Sequence, residues 1–206
     1  MFDQERSTFT DFKARLETNQ KVLEEFIAAC RAVNLRYDTK IYENRFIVGG
    51  VVEQLLGASM RAVGLEVDNI AKSSRGVDLL FPSLEVGLSV KAQFKKGSEI
   101  RLVNTMGGSG ADAVWNHATV FVIVGLGIGY ADPELIADGL MARSDALTLR
   151  INALQEMWRS HPNFLIKCDI PQKAQDSDLS RVASDVVAQD IMIEFKSLLK
   201  HYQPER

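Results

Sequence analysis

Gly76-Val77-Asp78-Leu79-Leu80-Phe81, Pro82-Ser83-Leu84-Glu85-Val86-Gly87 and Leu88-Ser89-Val90-Lys91-Ala92-Gln93-Phe94 follow one another in this chain, and the rest is read outward from them. The first and third runs are strand-like, and the middle one carries turn chemistry, so an antiparallel hairpin is expected. Side chains alternate across a strand. Leu88, Val90, Ala92 and Phe94 therefore share an apolar face, leaving Ser89, Lys91 and Gln93 on the other. In the first run Val77, Leu79 and Phe81 share one face, with Asp78 and Leu80 opposite. A register pairing Leu79 with Val90 sets Asp78 across from Lys91, and a two-residue slip sets Asp78 beside Ser89. Either gathers Asp78, Ser89, Lys91 and Gln93 on one face. A one-residue slip separates them and mismatches every apolar pair. A cross-strand ion pair on a solvated face is the plain alternative for Asp78 and Lys91.

Upstream the periodicity is helical. Phe9, Phe12, Leu16, Leu23, Phe26, Ile27 and Cys30 recur at three- and four-residue spacing, which predicts helix over 7–34 with a break near Thr18–Gln20. Val48, Val51, Val52, Leu55, Leu56, Met60 and Val63 predict a helix over 46–63, with Gly64 as its C-terminal cap. A short strand is expected at Leu65–Ile70. Downstream, Ile100–Val103 reads as an edge strand and Ala118–Val124 as a strand buried on both faces. Helices are expected over 133–140 and 144–159, then a strand at Phe164–Cys168. A long amphipathic helix, Leu179 to Tyr202, closes the chain. The order predicts an α/β fold, a central mixed sheet flanked by helices. One domain is expected over 1–206: a helical segment at 1–40, a core at 45–170 and the terminal helix at 179–202.

The 206 residues fit a single core, since cores stop growing at roughly 250–300 residues. Hydrophobic residues make up 46% and charged residues 25%, an ordinary globular balance. The charged start lacks the apolar run of a secretory signal, and Ala118–Ile128 falls short of the roughly 20 residues a membrane helix needs. Cys30 and Cys168 lie among apolar neighbours without partners at metal spacing. Buried free thiols in a reducing cytoplasm are the expectation. The net charge of −3 does not favour nucleic acid, but the stretch Lys72–Arg101 carries Lys72, Arg75, Lys91, Lys95, Lys96 and Arg101 against Asp78, Glu85 and Glu99.

Glu53 lies at the edge of the apolar face of the second helix, within Gly49-Gly50-Val51-Val52-Glu53-Gln54. An inward helical Glu, a strand bearing Asp, a turn, and a strand with a polar residue two before a Lys together resemble the PD-(D/E)XK nuclease superfamily. Type II restriction endonucleases and archaeal Holliday junction resolvases are members of that superfamily. The resemblance covers roughly Arg45 to Arg101. It implies Asp78 and Glu53 as ligands of Mg²⁺, with Mn²⁺ as a substitute, and Lys91 as the lysine that orients the attacking water. Ser89 and Gln93 complete the catalytic face. Val77 stands where the family has Pro, and Ser89 stands where it has a second carboxylate. Glu53 is the candidate for the missing charge, with Glu85 as a further one six residues before Lys91.

The expected function is thus Mg²⁺-dependent hydrolysis of double-stranded DNA by a type II site-specific enzyme, acting as a homodimer on a twofold site. Two alternatives stay open: a catalytically inactive DNA-binding module on the same scaffold, and a junction-resolving or repair nuclease. Lys72, Arg75, Lys95, Lys96, Arg101, Asn104 and Thr105 are the candidate DNA contacts, the last two opening the loop Asn104–Gly110. Gly125-Leu126-Gly127-Ile128-Gly129 lacks the spacing of a dinucleotide or phosphate loop. His117, His161 and His201 are scattered, and no Ser or Cys triad is evident. Ser89 beside Lys91 is a weak nucleophile pair without an oxyanion hole.

Overall fold

A computed structural model describes residues 1–36, 42–70, 76–105, 108–136, 138–171, 188–189 and 191–203. Helix α1 (Asp3–Thr18) and α2 (Gln20–Arg36) meet at Asn19, whose carbonyl accepts the amides of Val22 and Leu23. The expected break is there. Helix α3 (Tyr42–Ala62) ends in a Schellman motif: Leu65 N–H reaches the Met60 carbonyl at 3.0 Å and Gly64 N–H that of Arg61 at 2.9 Å. Gly64 carries the left-handed φ of +88° which this motif needs.

The described strands form two sheets. A six-stranded sheet has the order β1-β2-β3-β5-β6-β9, and a three-stranded one the order β4-β8-β7. These are β1 (Asp68–Asn69), β2 (Leu79–Phe81), β3 (Val86–Gln93), β4 (Glu99–Asn104), β5 (Thr119–Ile123), β6 (Gly127–Ala131), β7 (Leu140–Ala142), β8 (Ala146–Arg150) and β9 (Leu165–Ile166). Only β3 and β5 pair in parallel, with Ser89 against Thr119 and Lys91 against Phe121; the large sheet is therefore mixed. Alternation then divides the interior. Leu88, Val90, Val120 and Val122 turn towards Phe9, Phe26, Val52 and Leu56 of α1–α3. Phe121 and Ile123 turn the other way, to a second core with Ile100, Leu149 and helix α4 (Ile151–Ser160). The protein is α/β, with a mixed sheet flanked by helices.

Of the two expected hairpin registers the second is found: Leu79 pairs with Leu88, so Asp78 falls beside Ser89. Ile100–Val103 lies in an edge strand as expected, that of the second sheet. Three helix expectations are corrected. No helix forms at 133–136: the Asp132 carboxylate takes the amides of Glu134 and Leu135 and closes a turn. The helix predicted over 144–159 is helical over 151–159, in α4, but its residues 146–150 form β8, and Leu140 opens β7. Leu147 stands four before Ile151 and extends the helical spacing of Ile151, Leu154 and Trp158. Yet it alternates with Leu149 as in a strand, and pairing with β4 decides for strand.

The third correction concerns the C-terminal helix. Residues 179–187 lie outside the described ones, and beyond them the helix is not continuous. The chain leaves it near Ile193 and restarts as α5 (Lys196–Leu199). Phe195 is non-helical, at φ −125° and ψ 89°, and the Glu25 carboxylate accepts the amides of Ser197 and Leu198. A carboxylate at a new N-terminus stabilises the restart. No helix among the described residues is long and apolar enough to cross a membrane.

Candidate functional site

The β2–β3 ladder stops at Leu79, and the chain before it peels away from β3. An amide on β3 would lose its ladder acceptor at that fork. The Asp78 carboxylate supplies one: Oδ2 accepts from Val90 N–H at 2.6 Å and from the Ser89 hydroxyl at 3.0 Å. Such charge-assisted bonds are the short, strong ones. Lys91 Nζ donates to Ser89 Oγ and to the Val90 carbonyl, each at 3.1 Å, and stands 3.9 Å from Asp78 Oδ2. Ser89 is thus a bridge, donating to the carboxylate and accepting from the ammonium.

This is not a closed ion pair. At 3.9 Å the ammonium and carboxylate are neighbours without a hydrogen bond. Asp78 Oδ1 accepts no hydrogen bond among the described residues. Side-chain exposure is 25% for Asp78 and 30% for Lys91, so both are held yet open to solvent. The cluster offers, among the described residues, an anionic oxygen without a hydrogen-bond donor and a cation on one patch of sheet.

The other predicted residues divide. Gln93 is half-buried on the same face of β3, with its amide turned to Gly97. Glu53 is half-buried on α3, and its carbonyl accepts from the Asn69 amide at 2.9 Å. Glu85 sits exposed in the turn at the closed end of the hairpin, so it does not join Asp78 at the open end. Lys95 and Lys96 are exposed and make no ion pair among the described residues. Arg101 is held by Asp145 at 2.8 Å and by Asn104 at 3.4 Å, and Thr105 donates to the Gly108 carbonyl. These three cluster on the second sheet. Lys72 and Arg75 lie outside the described residues.

One neighbour escaped the sequence reading. The His117 ring packs against Gly76, two residues before Asp78; a Cβ on that glycine would lie 2.7 Å from Nε2. Its carbonyl accepts from Thr119 Oγ1, which in turn accepts from Trp115 Nε1, both at 3.0 Å. Ser89 N–H reaches the next carbonyl, that of Ala118, at 2.9 Å. Nothing in the spacing signals this, because His117 approaches only through the parallel β3–β5 pairing.

Among the described residues no group of three or more His, Cys, Asp or Glu side chains is placed to hold a metal ion. Asp78 brings one oxygen that accepts nothing among the described residues, which suits a hard cation that keeps most of its waters and shares a phosphate ligand, as Mg²⁺ does. No protein-family model matches the chain, and neither curated proteins nor solved structures bring up a match.

Proposed function

We propose that the protein is a Mg²⁺-dependent endonuclease of double-stranded DNA, of the type II site-specific kind. The observation that supports it most is the open cluster at the fork of β2 and β3. Asp78 is ordered by Val90 and Ser89, with Oδ1 unengaged among the described residues and the Lys91 ammonium beside it. Asp78, with Glu53 as the second carboxylate, would hold the cation; Mn²⁺ is a chemically suitable substitute. The bound cation supplies charge stabilisation for phosphodiester hydrolysis. Lys91 positions water and faces the scissile phosphate, and Ser89 fixes the lysine. Gln93 completes the catalytic face, and Lys95 and Lys96, just past the end of β3, carry the DNA backbone, with Lys72, Arg75, Arg101, Asn104 and Thr105 as further contacts.

A homodimer is the natural form for a twofold duplex site. The free thiols Cys30 and Cys168 suit a reducing cytoplasm. A second reading, a DNA-binding module without cleavage, is favoured by Ser89, whose hydroxyl occupies the place of a second carboxylate. A junction-resolving or repair nuclease differs in substrate alone.

The test is digestion of a long duplex and of branched DNA with and without Mg²⁺. Discrete metal-dependent fragments support the type II reading, and preference for branched DNA the resolvase. Binding without cleavage under any metal leaves the inactive module. Lys91→Ala should slow cleavage at least about a hundredfold while duplex binding in Ca²⁺ persists. Wild-type rates in that variant would rule out the site.

A further inference from the structure

Helix α3 meets the sheet through an apolar face of Val51, Val52, Leu55, Leu56 and Met60, all buried. Into that face is set a trio of Gly57, Arg61 and Asn69. The Asn69 side chain of β1, 2% exposed, enters where Gly57 has no Cβ; an added one would lie 2.2 Å from Asn69 Oδ1. Its Nδ2 donates to the Glu53 carbonyl at 2.9 Å, and its Oδ1 accepts from Arg61 Nη1 at 3.0 Å. Arg61, 8% exposed, also donates to the carbonyls of Val67 at 2.8 Å and His201 at 2.5 Å, and its buried Nη2 has no partner among the described residues. A buried guanidinium with an unmet N–H is costly, and an apolar trio of similar volume would pack at least as stably.

What the trio adds is position. Asn69 is paired with Leu79, and the next amide, that of Ile70, donates to the Asp78 carbonyl at 3.0 Å. Two hydrogen bonds therefore join the backbone of Glu53 to the backbone of Asp78, with Asn69 between them. We infer that Asn69, locked by Arg61 and admitted by Gly57, is a positioning residue that sets the helical carboxylate Glu53 against the strand carboxylate Asp78. This rests on the nuclease reading, in which those two carboxylates share the cation. Outer-shell partners of this kind typically change metal affinity tenfold to a hundredfold.

Asn69→Asp is the informative variant. It keeps an acceptor for Arg61 but turns the Glu53 contact from donor–acceptor to two facing oxygens. Mn²⁺ binding to the DNA-free protein would be measured by calorimetry, beside the melting temperature and the kcat and KM of cleavage. The expected result is about tenfold or more weaker Mn²⁺ binding and lower kcat, with KM for DNA little changed. Gly57→Ala, which expels the Asn69 side chain from the helix side, should act in the same direction. If wild-type protein takes up Mn²⁺ and Asn69→Asp does so equally well, the positioning role is wrong and the nuclease reading stands. Wild-type protein that takes up no Mn²⁺ and cuts no DNA overturns both. Loss of the fold in both variants would leave the trio a purely architectural role and overturn the inference.

Discussion

Glu85 is the one described residue other than glycine with a positive φ, at 55°, and it decides where Asp78 lies. By taking the left-handed conformation it closes the β2–β3 turn in the four residues Pro82–Glu85, so that Val86 and Gly87 join the strand. The turn chemistry through Gly87 implies a longer loop, and the difference moves the register by two. The alternation was legible and put Asp78, Ser89 and Lys91 on one face. The choice between the two registers was not, because a glutamate at such a φ has no sequence signature. Glu85→Gly should relieve that strain and raise stability by about 0.5–1 kcal/mol, the relief exceeding glycine's added unfolded-state entropy. Urea unfolding at matched pH checks it, and an unchanged or lower midpoint would deny the strain.

At the scale of elements, α1 is fastened to the end of β6 by a buried charge. Arg6 Nε and Nη2 contact the fully buried Asp132 at 2.8 and 2.9 Å, and the Tyr130 hydroxyl donates to the same carboxylate at 2.9 Å. Burial, with Asp132 alongside, pushes the Tyr130 hydroxyl well above the usual tyrosine range. Arg6→Met removes the counter-charge and should cost about 3 kcal/mol, since a buried carboxylate is left uncompensated. Glu134, exposed and bonded to the same arginine at 2.9 Å, should cost less than about 1 kcal/mol as Glu134→Ala. A pair of urea titrations separates the two, and equal costs would mean that the burial of Asp132 is not the cause. Helices α1–α3 were legible because each carries a single apolar stripe. Strand β8 was not, because Leu147 stands four before Ile151 and so extends the helical stripe of Ile151, Leu154 and Trp158, and only the partner strand β4 arbitrates.

At the scale of the whole molecule, the two thiols make stability depend on pH in mildly alkaline solution. Burial pushes the Cys168 thiol up to about 11 and Cys30 above that, from an unfolded value near 8.5. Groups whose folded pKa is raised stabilise fully below the unfolded value and lose that contribution as pH rises towards the folded one. Stability should therefore fall between about pH 8.5 and pH 11. Urea midpoints of wild type and of Cys168→Ala at pH 8 and 10.5 test this; the variant should show the shallower decline, and parallel declines would point to other groups. The fork of β2 and β3 has a last consequence, for spectroscopy. The Val90 amide proton is bonded to Asp78 at 2.6 Å, so its NMR resonance should stand far downfield. A proton or cation reaching Asp78 withdraws charge from that bond and moves the signal. One backbone peak thereby reports occupancy of the cluster, with no substrate, label or cleavage required.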